Sequence, residues 1–225
     1  MNVKRSTVGA EDKPTRRPSP RAARPRELKQ ERAVRTRQQV LDAAAAAFAE
    51  RGFPAVTMLD IAEIAGMTKG AVYFHYANKE ALATAVSEEF YRRLPLIAEE
   101  VGKAGLPPLQ AVAELLNRTA LAFRDDTMIQ AGARLQIESA SINASLPEPF
   151  VGYTESVTQL LDRARSAGDL PSHSAPDALG RVLVAAFFGA QHISWRLDQR
   201  ADLVTRVREI IDAVLPMATS AAGKV

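Results

Sequence analysis

The chain has no cysteine, one tryptophan and three histidines in 225 residues. Without a thiol there is no disulfide, no thiolate zinc site and no cysteine nucleophile. His75, His173 and His192 are far apart, and none has a partner at the spacing of an HExxH metal pair. P-loop and GxSxG patterns are also missing, so neither a cofactor, a metal nor an enzymatic activity has a candidate site. The adjacent Glu88–Glu89 and Glu99–Glu100 point to different sides of a helix and read as solvated faces rather than an acid/base pair. No apolar run approaches about 18 residues, and the N-terminus lacks the apolar core of a secretory signal. A cytoplasmic protein without a membrane partner is the expectation. Alternating strand patterns and Asn-Gly hairpins are lacking too, which leaves an all-α chain.

The net charge of +3 divides unevenly. Residues 1–32 hold ten Lys/Arg against four Asp/Glu, a net of +6, which leaves the remainder at −3. With Pro14, Pro18, Pro20 and Pro25 among its arginines, this segment has too little apolar surface to offset its ordering entropy. Residues 1–32 are therefore expected to be a disordered basic arm, either following DNA phosphates or merely solvated.

The most informative stretch is 57–79, TMLDIAEIAGMTKGAVYFHYANK. Thr57 and Asp60 have capping-box spacing, and Met58, Ile61 and Ile64 repeat at a helical interval. Gly66 ends that helix, because glycine enters the left-handed conformation cheaply. Thr68 caps a second short helix whose Val72 and Tyr76 form a buried side, opposite Thr68, Lys69, Gly70, Tyr73 and His75. Two short helices about a glycine turn form a helix-turn-helix, whose second helix fits the DNA major groove. Lys69 suits a phosphate or guanine, Gly70 and Ala71 let the backbone approach, and Tyr73 can hydrogen-bond a phosphate. Lys79 opens the following helix, where a cation and free amides favour a phosphate.

Residues 57–80 resemble the signature T-x-x-x-I-A-x-x-A-G-x-[ST]-x-G-x-[LV]-Y-x-[HY]-[FY]-x-x-K-E of TetR-type bacterial transcriptional repressors, at every fixed position. The resemblance implies a three-helix DNA-binding domain over 33–80, with Thr57 among its contacts, and a helical ligand-binding and dimerisation domain over 81–217. Residues 218–225 are expected to form a flexible tail.

Periodicity in the body places helices near 78–101, 107–123, 127–137, 150–167, 176–197 and 201–217. The last two carry long apolar stripes, including Leu203, Val207, Ile210, Ile211, Val214 and Met217, and are expected to pair with a second copy. The small residues Ala185, Ala186, Gly189 and Ala190 would admit a partner helix closely. The segments MIQAGARLQIES, LPEPFVGYTESVTQLLDRARSAGDL and VAAFFGAQHISWRLDQRADL resemble the γ-butyrolactone receptor branch of that family, including its pseudo-receptors, which answer to other compounds such as antibiotics. Tyr153 stands where those receptors have a pocket tryptophan, which implies a ligand-binding role for it. Phe90 faces the same interior, and Phe187 or Phe188 is expected to close the pocket. Gln130, Arg134 and Gln191, polar residues on apolar helices, read as orienting groups or as satisfied interior residues.

The implied function is a homodimeric repressor of a palindromic operator on double-stranded DNA, released by a small-molecule effector. The alternative is a constitutive DNA-binding repressor whose pocket is filled by side chains.

Overall fold

The computed structural model describes residues 25–148 and 150–215. Most of the expected basic arm, the expected tail and Met217 lie outside these residues. Two compact units are distinguished, one up to Arg35 and one from Thr36 onward, and the site lies in the second. The described residues form α1 (Pro25–Arg51), α2 (Met58–Ala65), α3 (Lys69–His75), α4 (Lys79–Lys103), α5 (Pro108–Asp125), α6 (Thr127–Ile137), α7 (Val151–Ala167), α8 (Pro176–Asp198) and α9 (Leu203–Val214), with a 3-10 turn at Ser139–Ser141. The fold is all-α.

Helix α1 starts at Pro25, not near Ala33. Residues 25–32 are thus helical rather than part of a disordered arm. Proline at a first helical position gives up no needed N–H, and the run of Glu, Leu, Lys, Gln and Arg that follows consists of strong helix formers.

The caps of the short helices form as their sequence dictates. Thr57 accepts the Asp60 N–H at 3.2 Å, and Asp60 accepts the Thr57 N–H at 2.7 Å. Gly66 ends α2 at φ +66°. Thr68 and Asn78 cap α3 and α4 through the amides of Ala71 and Ala81. Ile64 departs from expectation: it is 47% exposed, because an eight-residue helix packs one narrow face, and Met58, Ile61 and Ala62 occupy it.

Two apolar cores result, and α4 and α6 contribute to both. Leu82, Ala83 and Val86 of α4, with Met128, Ala131 and Leu135 of α6, complete the core around Phe48, Phe53, Ile61 and Val72. Phe90 and Leu94 of α4, with Ile129 and Ala133 of α6, belong to the core around Phe123, Leu161 and Phe187. Movement of either helix is therefore felt in both. Helix α9 is covered on one face by its own chain. Leu203, Val207 and Ile211 are buried within the chain, since α9 packs on α5 and α8, and Ile210 and Val214 are half-buried against the same core.

Candidate nucleic-acid interface and effector cavity

The reading head is held by contacts that leave α3 facing outward. Val72 is fully buried and Tyr76 nearly so. The Tyr76 hydroxyl accepts from Arg37 Nε at 3.3 Å, and that guanidinium also lies over the Tyr76 ring. Opposite them Thr68, Lys69, Gly70 and Tyr73 are exposed, with Ala71 and His75 half-buried. The Lys69 ammonium lies 5.7 Å from the Tyr73 ring centre, so the two side chains share one surface. Phe74, which the sequence reading passed over, is 83% exposed and packs edge-on to His75. So apolar a residue left open on this helix is the signal that could have marked it.

Lys79 is used differently from expectation. Its ammonium donates to the Phe53 carbonyl at 2.8 Å and sits 4.1 Å from the Phe53 ring centre. It braces the turn after α1. Thr57 likewise serves its cap, its hydroxyl donating to Asp60 at 2.6 Å.

The cavity lies in the helical body and has two adjoining chambers. The first, about 70 Å³, is bounded by Phe90, Leu94, Pro95, Tyr153 and Ser156. The second, about 210 Å³, is bounded by Ala133, Ile137, Gln191 and His192. Gln136, Phe150 and Phe188 line both. Tyr91 and Gln136 hydrogen-bond to each other beside the first chamber, and partial burial raises the Tyr91 phenol above its ordinary pKa.

Of the expected cavity residues, Phe90, Tyr153, Phe188 and Gln191 line it. Phe187 does not: fully buried, it packs edge-on against Phe123 at 5.5 Å and backs Tyr153. Gln130 donates instead to the Arg124 carbonyl at 2.6 Å, at the turn between α5 and α6. Arg134 closes on Glu138 at 2.9 Å and donates to the carbonyls of Ala49 and Glu50. Both polar side chains are consumed by unsatisfied helix-end carbonyls, a demand that spacing alone does not reveal.

Tyr153 is buried among the rings of Phe187 and Phe188. Its hydroxyl donates to Thr119 Oγ1 at 3.0 Å, and the Thr119 hydroxyl donates to the Leu115 carbonyl at 2.7 Å. Burial pushes the Tyr153 phenol well above its ordinary pKa, so it stays neutral. Phe150 opens α7 at φ +68°, a left-handed conformation strained for a bulky side chain. Its ring meets Phe188 at 4.6 Å over the junction of the chambers.

Outside the cavity, Val182, Ala185, Gly189 and Ile193 form an exposed stripe along α8, with Leu197 beyond it. No helix of the described residues is long and apolar enough to cross a membrane.

The sequence pattern of the bacterial regulatory proteins, tetR family, matches residues 40–86. The A-factor receptor protein of Streptomyces griseus is 33% identical over 188 residues, 84% of this chain. The chain spans 65% of that relative's own length. A solved structure concerned with the control of antibiotic production by bacterial hormones is 51% identical, with a TM-score of 0.75, over 80% of this chain and 96% of that one. The crystal structure of an ArpA-like γ-butyrolactone receptor is 31% identical, with a TM-score of 0.64, over 82% of this chain and 100% of that one. These relatives are regulators and receptors rather than enzymes. By these likenesses the chain belongs to the TetR family of DNA-binding transcriptional regulators and is similar, within it, to the γ-butyrolactone receptors.

Proposed function

We propose that this regulator is a cytoplasmic, homodimeric repressor that reads a palindromic operator with α3 and leaves it when a small effector fills the two-chambered cavity. The observation that carries the reading is the shared use of α4 and α6 by the head core and the cavity walls. A ligand releases DNA only by binding better to the arrangement in which the two heads no longer match the operator. Helix α4 supplies Phe90, Tyr91, Leu94 and Pro95 to the first chamber, and Leu82, Ala83 and Val86 at its other end share the apolar core that holds Val72 of α3.

Thr68, Lys69, Gly70, Ala71, Tyr73 and His75, with Phe74 added, make the DNA contacts in this reading. Two heads reach half-sites about one helical turn, or 34–36 Å, apart. The exposed α8 stripe of small and apolar residues supports a second copy as the dimer partner. The effector is a γ-butyrolactone-type signal or an antibiotic, by similarity to the A-factor and γ-butyrolactone receptors. Mostly apolar walls with a few amide and hydroxyl groups support a small, weakly polar molecule of that kind.

The test is a gel-shift titration of the operator complex with a γ-butyrolactone and, separately, with antibiotic intermediates. Release by either compound supports the reading. If neither releases DNA, repression is constitutive and the effector reading fails.

A further inference from the structure

The inward face of α8 is an apolar stripe with one misfit. Leu183, Val184 and Phe187 are buried on it, and the next two inward positions are Gln191 and Ser194. Ser194 is satisfied, since its hydroxyl donates to Asp202. Gln191 is not. Its side chain is 2% exposed, and its Nε2 has no hydrogen-bond partner. A buried amide is ordinarily paired, because its transfer from water is costly otherwise. Gln191 also lines the second chamber, which shares Gln136, Phe150 and Phe188 with the first. The other amide on the cavity wall, Gln136, already has Tyr91 as a partner.

The geometry points to a second hydrogen-bonding subsite, in which the Gln191 carboxamide receives a carbonyl or hydroxyl on the arm of the effector that enters the second chamber. The assignment rests on the effector reading above and deepens it. The ligand is a molecule with two separated oxygen functions. One lies beside the Tyr91–Gln136 pair and the other lies at Gln191, with the apolar span between them against Phe150 and Phe188. An amide serves either oxygen type, since it carries both a donor and an acceptor.

The experiment compares wild type with Gln191→Leu, a substitution of similar bulk that continues the apolar stripe. Two probes are used: a γ-butyrolactone whose alkyl side chain carries a ketone several carbons from the ring, and the matched lactone whose chain ketone is replaced by CH₂. Binding is read by thermal shift and titration without DNA. Wild type should prefer the ketone by about five- to a hundredfold, the range for leaving a buried polar group unpaired. Gln191→Leu should lose or invert that preference, with an unliganded melting temperature equal to or above that of wild type. A melting temperature lowered by several degrees means that the amide has an internal partner, which overturns the subsite. Binding of both probes without discrimination by wild type also overturns it, while leaving the effector reading intact. If neither probe binds wild type, the lactone-type effector reading falls, and the subsite falls with it.

Discussion

The Glu138 carboxylate accepts the backbone N–H of Phe53 at 2.6 Å, across 85 residues of sequence. Together with Arg134, which holds the Ala49 and Glu50 carbonyls, it fastens α6 to the end of α1. Gly52 sits between them at φ +80°, and a Cβ there would lie 2.4 Å from Glu138 Oε1 and 2.6 Å from Arg134 Nη2. Gln136, between the two clamp residues, lines the cavity.

Arg134→Ala should therefore act at a distance. It strands two helix-end carbonyls and one oxygen of the Glu138 carboxylate, at a cost of about 1–3 kcal/mol in a denaturant melt. In the proposed mechanism it should also blunt effector-driven release of the operator. A variant with unchanged stability and an unchanged release curve would show that the clamp carries nothing.

Replacing Lys69 and Tyr73 together by Ala should weaken operator binding by about 1–3 kcal/mol or more while the helical circular-dichroism signal persists. Phe74→Ala should likewise lower affinity without lowering stability, because an 83% exposed ring contributes little to the core. Undiminished affinity in both variants would remove α3 from the groove.

The sequence made the head legible because its caps, glycine turn and buried Val72 are local features within 24 residues. The cavity was legible only in part. Phe90 follows from the apolar face of its helix, whereas Gln130 and Arg134 look identical to Gln191 as candidate ligand groups until the carbonyls they serve are seen. Tyr91, Gln136 and Phe150 were missed for the converse reason. Each gains its role from a neighbour distant in sequence, as Gln136 does from Tyr91. Which face of α9 its own chain covers was not legible, because that cover, α5, lies about 80 residues away in the chain.

The dimer face is best tested on α8. Ile193 is 47% exposed in the single chain, so Ile193→Asp should leave the fold intact and yield monomers in sedimentation, with operator binding lost. Ile211→Asp would bury a charge in the core and unfold the chain instead. A dimeric Ile193→Asp protein would place the interface elsewhere.

Acid should loosen the α2 cap. Hydrogen bonds from the Thr57 hydroxyl and backbone N–H, with help from Arg51, lower the Asp60 pKa from 3.8 to about 2. A depressed folded-state pKa means that the stabilisation is present above about pH 4 and fades as pH falls toward 2. Asp60→Asn should melt below wild type at pH 7, and the gap should close toward pH 2. A gap independent of pH would mean that the carboxylate charge is irrelevant to the cap.

Tyr153→Phe separates the ring from its hydroxyl. The ring lines the cavity, but the hydroxyl donates to Thr119. Had that hydroxyl served the effector, a tyrosine in place of tryptophan would mark a pocket built for more polar compounds. The Thr119 hydroxyl keeps its own acceptor, the Leu115 carbonyl, when the tyrosine oxygen is removed. The substitution should thus cost only the ordinary net value of one hydrogen bond, about 0.5–1.5 kcal/mol in a denaturant melt. Effector sensitivity in the gel-shift titration should stay within about twofold of wild type, since a shift of 1.4 kcal/mol would already be tenfold. A tenfold loss of sensitivity at unchanged stability would put the Tyr153 hydroxyl on the ligand rather than on Thr119.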